Sequence, residues 1–422
     1  MNPFIRVART PAFWRLWVGQ VVSQFGDGFY WLAIMLGVSN LTGQSVQAVG
    51  LVSMAFLLPQ LPMNLFGGPF IDRVNRRHLM IVADVLRVFT TLGMLFAYRW
   101  QVLPLIYVLA LVQSSISGLF LPAKNALIPQ IVSREDLLPA NTLSQTTQVA
   151  ALIFGPALAG FTIEHLGLEI AFVIDAATFL ISALFLWWMP PVPTPATESV
   201  GWKRSWVALQ EGVHFLWQNA VIRGVTVVVS VLFLGLGAVN VLWVPYMQRV
   251  FSLGAQEIGL VDAFQGLGMF LGTALLSVRG VRSRSPRVLL LGGLTVVSAG
   301  FVATGLAPSY PFILGTVLGI GLAVPAAQAS FMTLIQSATP DRLMGRVNGA
   351  VSAIINGAMF LSMALATTLA EPVGLRESYV LCGVLGFLSV AWGIRLLPSE
   401  KQAGVSEGVT PRRLTVTHQD HP

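Results

Sequence analysis

Five ionisable side chains lie within long apolar stretches of the sequence, and each could carry chemistry. They are Asp27, Asp84, Arg87, Asp175 and Asp262. A charge in hydrocarbon is costly unless it is paired or hydrated, so such residues are functional candidates. Asp27 lies near the middle of its stretch, too far from either end for its side chain to extend into water. Its carboxyl group could bind and release a proton, or it could be a structural aspartate that hydrogen-bonds to a neighbouring helix.

The other four charged residues lie nearer the ends of their stretches. Asp84 and Arg87 are three positions apart and so share a helix face, which favours a mainly structural ion pair. Asp175 and Asp262 are predicted only a turn or two inside the outer ends of the sixth and eighth helices, where a water-filled mouth could solvate them. A coupling role for either is the less favoured interpretation.

A run of glycine, acidic and basic residues closes the second apolar stretch and opens the third. It contains Gly68, Asp72, Arg73, Arg76 and Arg77. The aspartate could accept hydrogen bonds from the positive N-terminus of a facing helix, while the arginines hold the turn at an anionic lipid surface. This pattern predicts a latch that forms in one conformation and breaks in another. The alternative is a simple basic anchor.

Small residues recur every four positions in the fifth stretch, at Ala151, Gly155 and Ala159, with Pro156 beside them. Such a stripe allows close helix packing, and the proline weakens the local backbone hydrogen bonding. The pattern indicates packing, with a gating role as the alternative. Two further glycine pairs predict the same kind of packing: Gly268 with Gly272, and Gly315 with Gly319.

The elements that position these residues are predicted to be membrane-spanning helices. Hydrophobic residues make up 55% of the chain and charged residues 10%, against roughly 25% charged in soluble proteins. Each crossing needs about 20 apolar residues. The sequence divides into twelve such spans, at residues 13–40, 46–70, 79–98, 103–122, 141–164, 168–190, 221–248, 257–279, 287–306, 310–336, 347–370 and 376–397.

The distribution of basic residues predicts the orientation. An even number of spans places both termini on one side, and all but four of the 25 Lys and Arg residues fall on that side or at the adjoining helix ends. The exceptions are Arg87, Arg99, Arg249 and Arg376. Because positive loops stay in the cytoplasm, both termini are predicted to be cytoplasmic. Attraction to lipid headgroups explains the net charge of +7 without a nucleic-acid partner.

Several classes of chemistry are disfavoured. Cys382 is the single cysteine, which excludes an internal disulfide and a thiolate metal cluster. The five histidines are scattered over loops and the tail, and no lysine follows a glycine as in a phosphate-binding loop. We therefore expect no catalytic residues, no metal, no cofactor and no enzymatic activity.

Short motifs repeat at an offset of roughly 205 positions, which indicates two halves. Pro122 to Ala126, in the predicted loop after the fourth span, corresponds to Pro325 to Ala329, and Asn141 to Asn348. We predict a first half at residues 1–190, a linker with an amphipathic helix at 191–220, a second half at 221–397 and a disordered tail at 398–422. Halves of this kind enclose a substrate path near the midplane.

The motifs resemble those of the major facilitator superfamily, in its branch of proton-driven drug exporters that includes bacterial macrolide efflux proteins. The most specific is Gly68-x-x-x-Asp72-Arg73-x-x-Arg76-Arg77, with Asn75 where many members have glycine. Further similar segments are Gly26-Asp27, Asp84 with Arg87, Gly155-Pro156-Ala-x-Ala-Gly160 and Gly345-Arg346-Val347.

The resemblance implies a twelve-helix fold, a cytoplasmic latch at Asp72, and an exporter motif at Gly155, Pro156 and Gly160. It also implies a monomer in the cell membrane that exchanges protons for a small molecule, with Asp27 as the proton carrier. One departure is that the fourth span, residues 103–122, lacks the arginine that supports proton coupling in many relatives. Alternatives are export of an endogenous metabolite, siderophore or lysolipid, and a non-transporting membrane sensor.

Overall fold

The computed structural model describes residues 3–60, 62–63, 71, 74–192, 202–278, 280 and 284–397. The regular secondary structure in these ranges is helical. Eleven of the described helices are long and apolar enough to cross a bilayer, and a shorter apolar helix lies at the second predicted span. The predicted all-helical class is confirmed.

The twelve apolar helices are labelled α1 to α12. Two short 3-10 turns, Arg134–Asp136 and Asp341–Leu343, precede α5 and α11. A short N-terminal helix covers Pro3–Ala8, and a linker helix covers Trp202–Gln218. The twelve are α1 Pro11–Leu41, α2 Val46–Leu57, α3 Arg76–Arg99, α4 Leu103–Ile131, α5 Leu137–Leu166, α6 Leu168–Trp188, α7 Ala220–Phe251, α8 Ala255–Leu275, α9 Pro286–Gly305, α10 Tyr310–Ala338, α11 Met344–Val373 and α12 Leu375–Leu396.

Large apolar side chains cover much of the outer surface of these helices. Phe89 is 67% exposed, Trp187 69% and Ile394 60%. Exposed apolar area on this scale is unfavourable in water and indicates contact with lipid. The fold is therefore that of an integral membrane protein.

Helix starts follow from local capping chemistry. The side chains of Ser45, Asn75, Asn219 and Ser285 each accept a backbone N–H from the first turn of the helix that follows. A proline occupies the first turn of α1, α4, α9 and α10, where its missing N–H costs no helical hydrogen bond.

Helix α4 is longer than predicted, and the prediction of a loop at Pro122 to Ala126 is wrong. The helix continues to Ile131, with Pro122 and Pro129 inside it. Buried Leu127 and Ile128 continue the apolar face of the helix past the charge at Lys124. Because packing of that face outweighs the cost of the prolines, the helix does not end where the hydropathy falls. Pro325 likewise lies inside α10.

The two groups of six helices repeat the same local devices. Gly167 joins α5 to α6 and Gly374 joins α11 to α12, each with a positive φ, of 89° and 100°, that favours glycine. Arg77 at the start of α3 donates to the Leu186 carbonyl at the end of α6, at 2.8 Å. Arg287 at the start of α9 donates to the Ile394 carbonyl at the end of α12, at 2.6 Å. A cation therefore stabilises the C-terminal end of the sixth helix of each group.

Among the described residues, the apolar core joins the two groups at one end of the bundle only. We call the end that carries the first residues of α1 and the last of α12 the terminal end, and the opposite end the distal end. At the distal end one cluster contains residues of both groups, among them Ala159, Phe172, Tyr246 and Ile258. At the terminal end the first group forms one cluster around Phe13, and the second group forms a separate one. The groups are thus held together mainly at the distal end.

The linker helix packs against the second group. Leu216 is buried in the second-group cluster, whereas Trp206 and Trp217 are about half exposed, at 51% and 52%. The apolar stripe of this helix therefore packs partly against the protein, and its tryptophans remain partly exposed. The predicted tail, residues 398–422, and most of the proline-rich spacer before the linker helix lie outside the described residues.

Glycine packing between α8 and α10 corrects one expectation. Gly268 and Gly272 of α8 do approach the α10 backbone, but Gly315 and Gly319 have open space beside them. The contacting residue of α10 is Gly321, where an added Cβ would lie 3.0 Å from the Gly268 Cα. Sequence spacing did not reveal which face of α10 meets α8.

We expect Gly321→Ala to destabilise the protein and Gly319→Ala to leave its stability unchanged. The first Cβ must push α8 away from α10, whereas the second meets no neighbouring atom within 4 Å. The midpoint of thermal unfolding of the purified protein in detergent measures both. Equal midpoints for the two variants would contradict the close contact.

Candidate functional site

One cavity lies among the helices of the second group and is bordered on one side by the first. Its volume is about 750 Å³, within the range of small-molecule sites. Trp31, Leu152 and Pro156 contribute from α1 and α5, and the rest of the wall comes from α7 to α12. Most of the lining is aliphatic or aromatic, including Phe233, Trp243, Phe301 and Phe331. The cavity can therefore hold a large apolar molecule.

Asp262 is the one lining residue with a formal charge in the described wall of this cavity. It lies beside the indole N–H of Trp243, and that buried Nε1 has no other hydrogen-bond partner among the described residues. Neutral polar side chains also reach the cavity, namely Asn240, Gln265, Thr304, Gln328, Ser352, Asn356 and Tyr379. Asp262 belongs to α8, as predicted from the sequence, but it faces the cavity at the interior of the second group.

Asp84 and Arg87 form a buried ion pair in α3. The Asp84 Oδ1 to Arg87 Nη1 distance is 3.4 Å, and the side chains are 0% and 5% exposed. Ser182 donates to Asp84 Oδ2 at 2.7 Å. The Arg87 guanidinium lies over the rings of Phe120 and Phe179, at 4.5 and 5.1 Å from their centroids. Because the pair connects α3, α4 and α6, it is well placed to fix their packing.

Asp175 lies in the interior of the first group and not in a solvated mouth, so that expectation is wrong. Its side chain is 0% exposed. Thr91 of α3 donates to its Oδ2 at 3.1 Å, and its Oδ1 is buried without a partner. Helix α1 covers it at Gly26, where a Cβ would come within 2.9 Å of Asp175 Oδ1. Only glycine allows α1 to approach this closely.

Asp27 points away from that packed face, and its side chain is exposed. It makes no hydrogen bond or ion pair with a described residue, which argues against the structural alternative. It lies close enough to Arg87 and Lys124 to interact with them electrostatically, and likewise to Asp84 and Asp175. The residue that follows it, Gly28, packs against Gly155 of α5, where an added Cβ would lie 3.2 Å from the Gly155 Cα.

Lys124 is the charged residue that sequence reasoning missed. We expected the fourth helix to carry no charge, but α4 extends through Lys124, whose residue is 8% exposed. It lines a small cleft with Gln20, Gln24 and Thr147. The available signal was the apolar spacing of Leu127, Ile128 and Ile131, which continues the helix beyond the lysine.

The latch predicted between the second and third spans is described in part. Gly68, Asp72 and Arg73 lie outside the described residues. Arg76 donates to the Ala126 carbonyl of α4 at 3.1 Å, and Arg77 to the end of α6. Asn75 caps α3 and donates to the Val192 carbonyl at 2.9 Å, which gives this departure from glycine a structural reason. The described arginines therefore bind helix ends of their own group.

Pro156 and Gly160 of α5 lie at the contact between the two groups. A Cβ at Gly160 would lie 2.5 Å from the Ala255 carbonyl oxygen of α8, and one at Gly259 would lie 3.1 Å from the Gly160 Cα. Glu164 accepts the Ala255 backbone N–H at 3.0 Å, so α5 also caps α8 across this contact. Gln248 of α7 donates to the side chain of Asn40, near the C-terminal end of α1, at 2.9 Å. These contacts close the distal end.

Arg346 connects the second group to the linker helix. It forms an ion pair with Glu211 at the surface, while Gly345 has open space beside it. In the described part of the chain, no group of three or more His, Cys, Asp or Glu side chains could hold a metal ion. The observed chemistry is thus limited to two features, a charged cluster in the first group and an apolar cavity in the second.

A bundle of apolar helices around such a cavity is typical of a membrane transporter. The model of the Major Facilitator Superfamily matches residues 16–361, with a second match at 225–418. The chain belongs to this superfamily of transporters, as the sequence motifs predict.

Several bacterial transporters are similar to this chain over most of its length. An uncharacterised MFS-type transporter of Bacillus subtilis, YfiS, is 29% identical over 88% of this chain and 89% of its own length. Macrolide efflux protein A of Streptococcus pyogenes is 24% identical, over 88% and 93%. The enterobactin exporter EntS of Salmonella typhi is 27% identical, over 80% and 81%.

Solved structures confirm the fold alone. A bacterial homologue of the iron transporter ferroportin, in an inward-facing state, has a TM-score of 0.73 at 16% identity and covers 91% of this chain and 98% of its own. The nucleoside transporter NupG, as a D323A mutant, has a TM-score of 0.71 at 13% identity, with 91% and 100% covered.

We expect Asp84→Asn to destabilise the protein by roughly 3 to 5 kcal/mol, because it leaves the Arg87 charge buried without a carboxylate. The unfolding midpoint in detergent measures the effect. The double variant Asp84→Asn with Arg87→Met removes both charges and should be less destabilised than the single variant. A lower unfolding midpoint for the double variant than for Asp84→Asn alone would contradict a pair that is held by charge.

We expect Gly160→Ala to separate α5 from α8 and open the distal end. Spin labels at Leu166→Cys and Leu306→Cys, both exposed distal positions at 69% and 66%, report the distance by pulsed electron paramagnetic resonance. The variant should shift the distribution to longer distances. Gly357→Ala, which meets no atom within 4 Å, is the matched control. An unchanged distribution in Gly160→Ala would contradict this role.

Proposed function

We propose that this protein is a proton-coupled exporter of amphipathic, macrolide-like compounds that works by alternating access as a monomer, with both termini in the cytoplasm. The observation that carries the proposal is the apolar cavity of about 750 Å³ with its single carboxylate. A cavity of this size and composition suits a bulky apolar compound with few polar groups. The name of the Streptococcus relative, a macrolide efflux protein, supports both the substrate class and the direction.

The charged cluster of the first group supports coupling to protons. It contains three carboxyl groups, at Asp27, Asp84 and Asp175, and two cations, at Arg87 and Lys124. Charge balance in a low-dielectric interior is therefore reached when the cluster binds one proton. Asp27 is the carboxyl that we assign to this exchange, because it is exposed and has no described hydrogen-bond partner. Asp84 and Asp175 are held by hydrogen bonds.

Alternating access requires contacts that close one end at a time. The distal contacts of Gly160, Glu164 and Gln248 close one end in this structure. We assign closure of the terminal end to the segment with Gly68, Asp72 and Arg73, anchored to its own group by Arg76 and Arg77. Opening of the distal contacts would then release the substrate.

A second candidate is export of an endogenous compound such as a siderophore. The similarity to an enterobactin exporter favours it. The described lining of the cavity offers a carboxylate and no cation, however, and this charge disfavours an anionic substrate.

The test is proton flux in acidified everted membrane vesicles on addition of a panel of macrolides and hydrophobic cations. Wild type is expected to release protons when a substrate is added, and Asp27→Asn to lose this release while inserting normally. Glu135→Gln, which removes an acid that is 84% exposed in the same group, should retain it.

The possible outcomes separate the parts of the proposal. Flux that survives in Asp27→Asn would place the proton carrier elsewhere. The absence of flux with every compound in wild type would overturn drug export and favour the endogenous substrate.

A further inference from the structure

The carboxylate in the second-group cavity has no role in the proton exchange assigned above. Asp262 lies on α8, whereas the cluster of Asp27, Arg87 and Lys124 lies in the first group. In the described structure Asp262 forms no ion pair, and no cation lies in the cavity wall. In its ionised form, a carboxylate that faces an apolar cavity without a counter-ion in the protein is stabilised by a cation from outside.

The surroundings of Asp262 favour an organic cation over a small hydrated ion. A metal ion would need several oxygen ligands around it, and no three acidic, histidine or cysteine side chains in the described chain could supply a site. The cavity presents aromatic rings, from Trp31, Phe233, Trp243, Phe301 and Phe331. Aromatic faces attract alkylammonium groups, and the effect is larger where water is excluded.

The neutral polar side chains in the cavity do not compete for this role. Asn240, Gln265, Gln328 and Asn356 can hydrogen-bond to a hydroxyl or carbonyl, but none supplies a charge. Charge recognition in the described cavity therefore depends on one residue. The geometry points to Asp262 as the residue that binds the ammonium group of a cationic amphiphile, while the aromatic and aliphatic wall holds its apolar part.

This inference rests on the proposed export function, since it names the substrate class of the same cavity. It adds a division of labour between the two groups of helices. The first group exchanges the proton, and the second group selects the charge of the substrate. Substituting Asp262 should consequently change which compounds bind, and it should have less effect on proton exchange.

A pair of isosteric probes tests the assignment. One is a dansyl amphiphile that ends in a trimethylammonium group, and the other is the same molecule with a tert-butyl group in its place. The two have the same shape and differ in one charge. Binding to the purified full-length protein in detergent is followed by energy transfer from tryptophan to dansyl, because Trp31 and Trp243 line the cavity. Excess non-fluorescent probe gives the background from the micelles.

We expect wild type to bind the ammonium probe about tenfold or more tightly than the tert-butyl probe, as desolvated charge pairs do. Asp262→Asn should lose that preference and keep its affinity for the tert-butyl probe, which also shows that the cavity is intact. Asp262→Glu should retain part of the preference. Asp341→Asn, which removes an exposed acid from the same half, controls for the change in net charge.

Two results would overturn the inference. One is a wild type that does not distinguish the probes or binds neither, and the other is an Asp262→Asn variant that keeps the full preference. Failure of the export proposal is recognised separately, because wild-type vesicles would then show no proton flux although the binding preference persists. Conversely, flux with unselective binding would leave export standing and remove the role of Asp262.

Discussion

The close contact between α5 and α8 determines where a cavity can exist in this protein. At Gly160 and Gly259 two helices from different groups approach to a distance that excludes any side chain. Among the described residues, the apolar core is continuous across the groups at this distal end, while the terminal-end clusters are separate. Since the groups are joined at one end, they can enclose a volume between them without losing their own packing. Rocking about such a junction needs only the small contact area to change, because each group has its own core.

The low dielectric of the interior explains how the charges are distributed. In the interior cluster of the first group each charged side chain has others of opposite sign nearby. Asp84, Arg87 and Asp175 are further held by hydroxyl groups or aromatic rings. Hydrogen bonds and ring contacts offset the cost of desolvating these charges. In the second group Asp262 lies at the cavity near two neutral side chains, Trp243 and Tyr379, with no cation in the described wall. The carboxyl groups of the first-group cluster thus have cations within the protein, whereas Asp262 has none in the described wall of its cavity.

The two groups share the residues that stabilise helix ends and turns, but they differ in the charged residues inside them. Arg77 and Arg287 stabilise equivalent helix ends, and Gly167 and Gly374 make equivalent turns. The charged cluster around Asp27 has no counterpart of the same composition in the cavity of the second group. Duplicated helix ends keep both groups rigid, so the residues inside each group can differ. This arrangement suits a molecule in which one group handles a proton and the other a substrate.

The sequence by itself determined the helical class, the positions of most helices and the family, because apolar length and local motifs are properties of short segments. It also singled out Asp27, Asp84, Arg87, Asp175 and Asp262 as unusual, since a charge in an apolar stretch is visible without a structure. Only the tertiary structure decided what each of them faces. Asp175 is covered by α1 at a glycine, and Lys124 lies within α4. The residue of α10 that contacts α8 is Gly321 and not Gly319. Each of these depends on which face a helix presents to a neighbour that is distant in sequence. In a membrane protein, apolar residues face both lipid and protein, so hydropathy does not distinguish the two faces.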